Sequence, residues 1–522
     1  MKLPELPLGS RIRQQVLTRF GGLRHTAGAE DGDIYDMRNL WSGDFPRLSV
    51  RPGRKTLGTV TKPNGLFRAN GSRFIADGTT LYVDGVSAGT LADSPKVFAA
   101  LGSRVLIWPD KKVWTAAGGL ESLEASYTAS GLVFADGTYA GETAKKNSVT
   151  TPGEAFPFRA GDAVNIPACT PTGGKALTLV VREVSADGKT LRFYEDSFAA
   201  TGTVSAALTL SRTVPDLDWI CVNENRVWGC RGDTIRASKL GDPFNWNVFD
   251  GLSTDAWSWE SGTEGDFTGC VSFLGYPCFF KERHIFKVYG SRPSNFEPQS
   301  APDFGVMAGC GRSLAIAGEN LYYLSRVGPV VYAGGIPRPL GEPLGAKLSA
   351  GAGGSDGLKY YLSAQSGGDW LLYVYDAARQ LWHVEDATRG AFFAPGSPGS
   401  VECLTAGGSL WTTDTEAAGT AEGQVSWWAE FGDFTRNSPN KKGLSKLLLR
   451  LEPGAGSTVS LLIRYDSAGD WETVAALTAA SKGSRYLAVV PRRCDHFRLK
   501  LTGTGGCVLH SLTTEAYVGS PN

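Results

Sequence analysis

The stretch Asn320-Leu-Tyr-Tyr-Leu324, then a break containing Gly328, then Pro329-Val-Val-Tyr332, decides the fold class. Two short aromatic and β-branched runs around a turn read as an antiparallel hairpin. The same pattern recurs at 71–83, 102–114, 225–236, 278–289, 359–383 and 401–411. Apart from one gap, successive units lie about 30 to 50 residues apart, the period of propeller blades. Turn chemistry agrees. Asp-Gly begins at 31, 77, 84, 136, 187, 250 and 356, and Asn-Gly at 64 and 70. These pairs tolerate the positive φ that two-residue hairpin turns demand. No stripe of 12 or more residues has a helical period, although 10–20 could hold a short amphipathic helix. The expected fold is therefore all-β: a β-propeller of about seven blades, with further β domains attached.

Composition narrows the class. The chain has 522 residues, and Lys+Arg 52 balance Asp+Glu 52, so the formal net charge is zero. That balance argues against a protein that grips nucleic acid over most of its surface, which needs a basic excess. With 42% hydrophobic and 11% aromatic residues, the chain can build a large core, which argues against disorder. Gly at 66 of 522 supplies the many turns. No apolar run approaches the ~18 residues of a membrane span, and the first residues lack the apolar core of a signal peptide. The nine cysteines show no Cys-x-x-Cys spacing, and Cys221, Cys278 and Cys403 sit in apolar strand-like runs. They read as buried reduced thiols of a protein folded in a reducing cytoplasm.

The gap in the repeat, 118–213, has fewer Trp and more Thr and Ala. It includes a hairpin reading at Leu177–Val184, Asp187-Gly188 and Leu191–Tyr194. It is expected to be a small β-barrel inserted at a propeller loop. From 416 onward, alternation in Asp495-His-Phe-Arg-Leu-Lys-Leu501 implies strands with one buried face, so a C-terminal β-sandwich is expected. The organisation read from the sequence is an N-terminal arm and lead-in over 1–50, propeller over 51–117 and 214–415, the insert over 118–213, and the sandwich over 416–522.

No catalytic motif has its required context. There is no phosphate-cradling P-loop and no His-Glu-x-x-His, and the five histidines are scattered. Gly-x-Ser-x-Gly occurs at 85–89 and 353–357, in Gly-rich loops without a following helix, so neither is a nucleophile elbow. No catalytic residue, metal ligand or cofactor is expected. Two regions stand out as binding candidates. The loop carrying Trp246, Asp250, Asp255, Trp257, Trp259 and Glu260 sets indoles beside carboxylates. That pattern suits packing or a subunit interface, sugar binding, or a glycosidase pair. The arm with Arg11, Arg13, Arg19 and Arg24 is basic and suits docking on an acidic neighbour or on nucleic acid.

Two stretches carry a resemblance. One is Arg19-Phe-Gly-Gly-Leu23, Asp31–Leu40 and Phe45-Pro-Arg-Leu-Ser-Val-Arg-Pro-Gly53. The other is Lys239–Phe249, Gly265–Gly269, Phe279–Tyr289 and Gly309-Cys-Gly-Arg-Ser313. Their order resembles tailed-bacteriophage and prophage structural proteins, above all the β-propeller tail-hub, packaged-DNA-stabilisation proteins of short-tailed phages. It covers 19–53 and 214–522, and the insert has no counterpart in the pattern. The resemblance implies a virion protein assembled in the bacterial cytoplasm, placed in the neck or tail. It would form a ring of copies against portal, adaptor or tail subunits, close to DNA without gripping it specifically, and help retain or pass the genome. The alternatives are a receptor- or carbohydrate-binding tail protein and a β-propeller glycosidase.

Overall fold

The computed structural model describes residues 12–26, 32–435, 440–467, 469–478, 482–490 and 492–518. Among them the regular structure is β-strand, and the helical elements are 3-10 turns of three residues. The chain forms two compact units, a first of residues 1–66 with 312–522 and a second of residues 67–311.

The second unit starts at Phe67, within the first strand of a four-stranded sheet, Pro63–Ala69, Ser72–Asp77, Thr80–Val83 and Val86–Thr90, with neighbours in chain order. Its hairpins turn at Asn70-Gly71 and Asp84-Gly85, where both residues of each pair have positive φ. This is the primed turn whose twist matches the strands; not every such pair is a turn, since Asn64-Gly65 and Asp136-Gly137 lie inside the strands Pro63–Ala69 and Leu132–Tyr139. The sheets over 97–122, 219–260 and 269–302 repeat the same four-stranded meander. Each packs face to face on the next. Phe74, Leu81, Val105 and Ile107 fill the first junction. Leu106, Trp108, Ile220 and Val227 fill the second. Cys230, Ile235, Phe279 and Phe286 fill the third. The first strands Val97–Leu101, Trp219–Asn223 and Gly269–Phe273 lie against one another in succession. Meanders stacked through their first strands are the sheets of a β-propeller. Each fully buried Phe, Leu or Ile in these junctions contributes about 1.5–3 kcal/mol.

The insert leaves and returns through paired strands, Ala125–Ala129 beside Leu208–Arg212. The segment expected to be a small β-barrel has its strands in two sheets. They share a core of Leu132, Phe134, Val149, Val164, Ile166, Leu191, Phe193 and Leu210. The hairpin expected over 177–194 is split. Leu177–Val180 pairs with Ala163–Ile166 in one sheet. Around Asp187-Gly188 only Glu183–Val184 and Thr190–Arg192 pair, in the other sheet. The strand breaks at Val181, which is fully buried and turns the chain from one sheet to the other.

The first unit holds meanders over 315–339 and 348–384, and a sheet over 390–412 completed from far upstream. Lys55–Thr59 pairs with Ser409–Thr412, so Thr59 lies opposite Ser409. The remaining strands build two sheets of a sandwich. One contains Lys442–Pro453 beside Cys507–Val518, and the other Phe497–Thr504 beside Thr458–Tyr465. Burial alternates along them: Phe497, Leu499 and Leu501 are buried, with half-buried residues between. The sandwich is not C-terminal alone. Ile34–Arg38 pairs with Ser426–Phe431. Leu40–Trp41 and Leu48–Val50 extend the other sheet, and Ile12–Leu17 pairs along Cys507–Val518. The short helix expected over 10–20 is therefore replaced by the strand Ile12–Leu17, and 18–20 carry no regular structure. Tertiary pairing overrides a weak local preference there.

All nine cysteines are free thiols, eight of them buried and Cys169 half-buried. No helix of the described residues is long and apolar enough to cross a membrane.

Candidate functional site

The Trp-rich loop is built mainly as a fastening. Trp246 is 2% exposed and packs edge-on against Trp108 at 6.1 Å. Its Nε1 donates to the Pro243 carbonyl at 2.8 Å, so its indole presents no stacking surface to a sugar. Beside it, Asn245 ties the loop to the insert. Its Oδ1 accepts from the Ala163 backbone N–H at 2.8 Å, and its Nδ2 donates to Asp162 at 3.2 Å and to Asp242 at 2.6 Å. Asp162 is ion-paired with buried Arg212, and the Arg159 and Arg212 guanidiniums lie over the Phe244 ring.

The rest of the predicted cluster is dispersed. Trp257 and Trp259 are half-buried on the outer strand Trp257–Glu260, against Trp228 with Phe296 and against Phe286 respectively. Asp255 is buried, and its Oδ2 accepts from the Leu252 N–H at 2.9 Å. Glu260 and Asp250 are exposed. The carboxylates thus serve the loop's own conformation or solvent. Buried Arg226 organises the same loop, donating to the carbonyls of Ser238, Ser253 and Asp255 at 2.8, 2.7 and 2.5 Å. Burial lowers its pKa below the usual arginine value. The outcome is a rigid loop whose tip carries apolar side chains: Phe249 is 61% and Leu252 60% exposed.

The basic arm is not a free arm. Arg13 is exposed on the strand Ile12–Leu17, inside the sandwich sheet. The Arg19 guanidinium lies over Phe45 at 5.2 Å, and Arg24 pairs with Glu342 at 3.3 Å. Arg11 lies outside the described residues.

The Arg51-Pro-Gly53 motif proves to be the centre of a buried ionic network that the sequence did not disclose. Arg51 forks onto both Glu422 oxygens at 2.7 and 2.8 Å, and its Nε donates to Asn39 at 2.8 Å. Arg54 donates to Glu385 at 2.5 Å and Asp386 at 2.7 Å, and its guanidinium lies over Trp411 at 4.1 Å. Burial opposes the Arg54 charge, but Glu385 and Asp386 outweigh it and raise its pKa. Burial likewise opposes ionisation of Asp386 and Glu422, yet the arginines hold both carboxyls below their usual range. His383, two residues before Glu385 in sequence, is buried, with neither ring nitrogen hydrogen-bonded. Burial and then Lys359 lower its pKa to about 3.

Among the described residues, no group of three or more His, Cys, Asp or Glu side chains is arranged to hold a metal ion. A cavity of about 650 Å³ opens in the first unit between the lead-in strand Ile34–Arg38 and the sheet over 348–384. Its lining includes Asp36 and Arg38, from the stretch Asp31–Leu40, and Asp369, Trp370 and Arg389, none of them a site residue expected from the sequence.

No protein-family profile and no curated protein matches the chain. Solved structures with partial similarity include an exo-β-1,3-galactanase from Phanerochaete chrysosporium, at TM-score 0.23 and 9% identity over 57% of this chain and 95% of that one. Another is the phage phi92 endosialidase, at 0.25 and 9% over 78% and 69%. A third is Hsv2 from Kluyvelomyces marxianus, at 0.26 and 9% over 72% and 94%. Values this low carry no argument about activity.

Proposed function

We propose that this chain is a structural subunit of a phage or prophage particle, in its neck or tail hub, and that it acts by assembly. The observation that carries the assembly reading is the tip at 248–252. Phe249 and Leu252 stand out in solvent on a loop that Arg226 and Asp255 hold fixed from beneath. Exposed apolar side chains on a fixed support are favourable when a neighbouring subunit covers them. The placement in a particle follows from the sequence resemblance over 19–53 and 214–522. Zero net charge suits a body that lies against other proteins. A ring of copies would line or extend the DNA conduit.

The test is mass spectrometry and electron microscopy of purified particles. The expected result is this chain present in several copies per particle. Phe249→Asp with Leu252→Asp should leave its melting temperature unchanged and remove it from particles. Absence of the wild-type chain from particles, or full incorporation of the double variant, would refute the proposal.

A further inference from the structure

The geometry points to a saccharide-binding cleft at Trp370, separate from the assembly tip. The cavity of about 650 Å³ falls within the ~300–1,000 Å³ of small-molecule sites. Its chemistry selects the ligand class. Asp369 is exposed at the hairpin Ser366-Gly-Gly-Asp369, where Gly367 and Gly368 both take positive φ and fix the turn. Among the described residues its carboxylate forms no ion pair or hydrogen bond. Half-buried Trp370 follows, with the Arg389 guanidinium over its ring at 4.8 Å. Arg389 is exposed and has no carboxylate partner among the described residues.

Across the cavity Asp36 and Arg38 are already committed. They pair with each other at 3.0 Å, and Asp36 also accepts from Trp428 Nε1 at 3.0 Å. The cleft therefore offers one unspent acceptor group, one unspent donor fork and one indole. Vicinal sugar hydroxyls satisfy both, donating to Asp369 and accepting from Arg389. A sugar's apolar face suits the indole. A solvent-exposed cation–π contact is weak, so Arg389 can leave the ring for hydroxyls at small cost. An apolar ligand would strand these charges without partners. A phosphate-bearing ligand would meet two carboxylates, Asp36 and Asp369.

The test uses the intact chain on an array of defined oligosaccharides: neutral hexose chains, N-acetylhexosamine chains, and chains ending in uronic or sialic acid. The best binder is then titrated in solution. The expected result is binding to at least one class, weakened tenfold or more by Trp370→Ala, Asp369→Asn and Arg389→Ala, and unchanged by Phe249→Ala. If Trp370→Ala fails to fold, the other two substitutions decide, because Asp369 and Arg389 are both exposed. No binding to any class, or binding untouched by Asp369→Asn and Arg389→Ala, overturns the cleft while leaving the assembly reading standing.

Discussion

Arg54 and His383 show how much a single buried side chain can commit in this fold. Arg54 is the only cation bonded at under 3 Å to Glu385 among the described residues. Arg54→Ala leaves the nearly buried Glu385 carboxylate with Arg51 alone, at 3.7 Å, so the cost should be about 3 kcal/mol, the low end for a broken buried pair. Denaturant unfolding should show the loss as a lowered midpoint with an unchanged slope. Arg51→Lys is also expected to destabilise, because an ammonium cannot fork onto both Glu422 oxygens. His383 predicts a different signature. Its folded-state pKa, about 3, lies below the ordinary 6.5, so the unfolded chain binds the proton first. Stability from this residue is complete above about pH 6.5 and falls as pH drops toward 3. The slope is about 1.4 kcal/mol per pH unit once the unfolded histidine is protonated. His383→Leu should flatten stability between pH 6 and 5. Asp386 and Glu422 also have lowered values, so their loss comes later, below the usual carboxylate range, and persists in that variant. Identical pH profiles for His383→Leu and wild type would contradict this assignment.

At the scale of elements, the loop over 242–246 is a clasp. Asn245 satisfies the Ala163 N–H and touches Asp162 and Asp242. Asn245→Ala should cost about 1–3 kcal/mol, the penalty for buried polar groups left unpaired. It should also raise hydrogen exchange at 159–165 while leaving the insert's own core protected. This element also shows what the sequence could reveal. Hairpins such as 71–83 and 320–332 were legible because turn residues and apolar runs are local signals. The sandwich strand at 497–501 was legible because alternation is local too. Trp246 was misleading, because an indole on a polar loop reads the same whether it faces solvent or Trp108. The strand Ile12–Leu17 was hidden, since its partner lies some 500 residues on, at Leu512–Tyr517. The Trp370 cleft was hidden because Asp36 and Arg389 meet only through the fold. Burial and long-range pairing are properties of partners, and a sequence window holds one partner at a time.

At the scale of the whole molecule, the insert is a self-contained module. It has one core of its own, and its two connections are adjacent paired strands. Residues 122–214 expressed alone should fold cooperatively, with a β-type circular dichroism spectrum and dispersed amide resonances. The chain lacking 125–212, joined by a short Gly linker, should keep its other sheets but expose Phe244. A module that stays unfolded, or a deletion that abolishes folding, would mean that the clasp is essential to both.

The pairing of Thr59 with Ser409 also sets an order in time. During synthesis the strand Lys55–Thr59 emerges some 350 residues before its partner. At ~5–20 residues per second it waits roughly 20–70 s with an open hydrogen-bonding edge. Nascent chains of this protein therefore carry an unsatisfied strand through most of translation. A ribosome that stalls before residue 409 would leave a sheet edge ready to pair with another chain. The join that finishes the sheet over 390–412 thus keeps this edge open until residue 412 has been made.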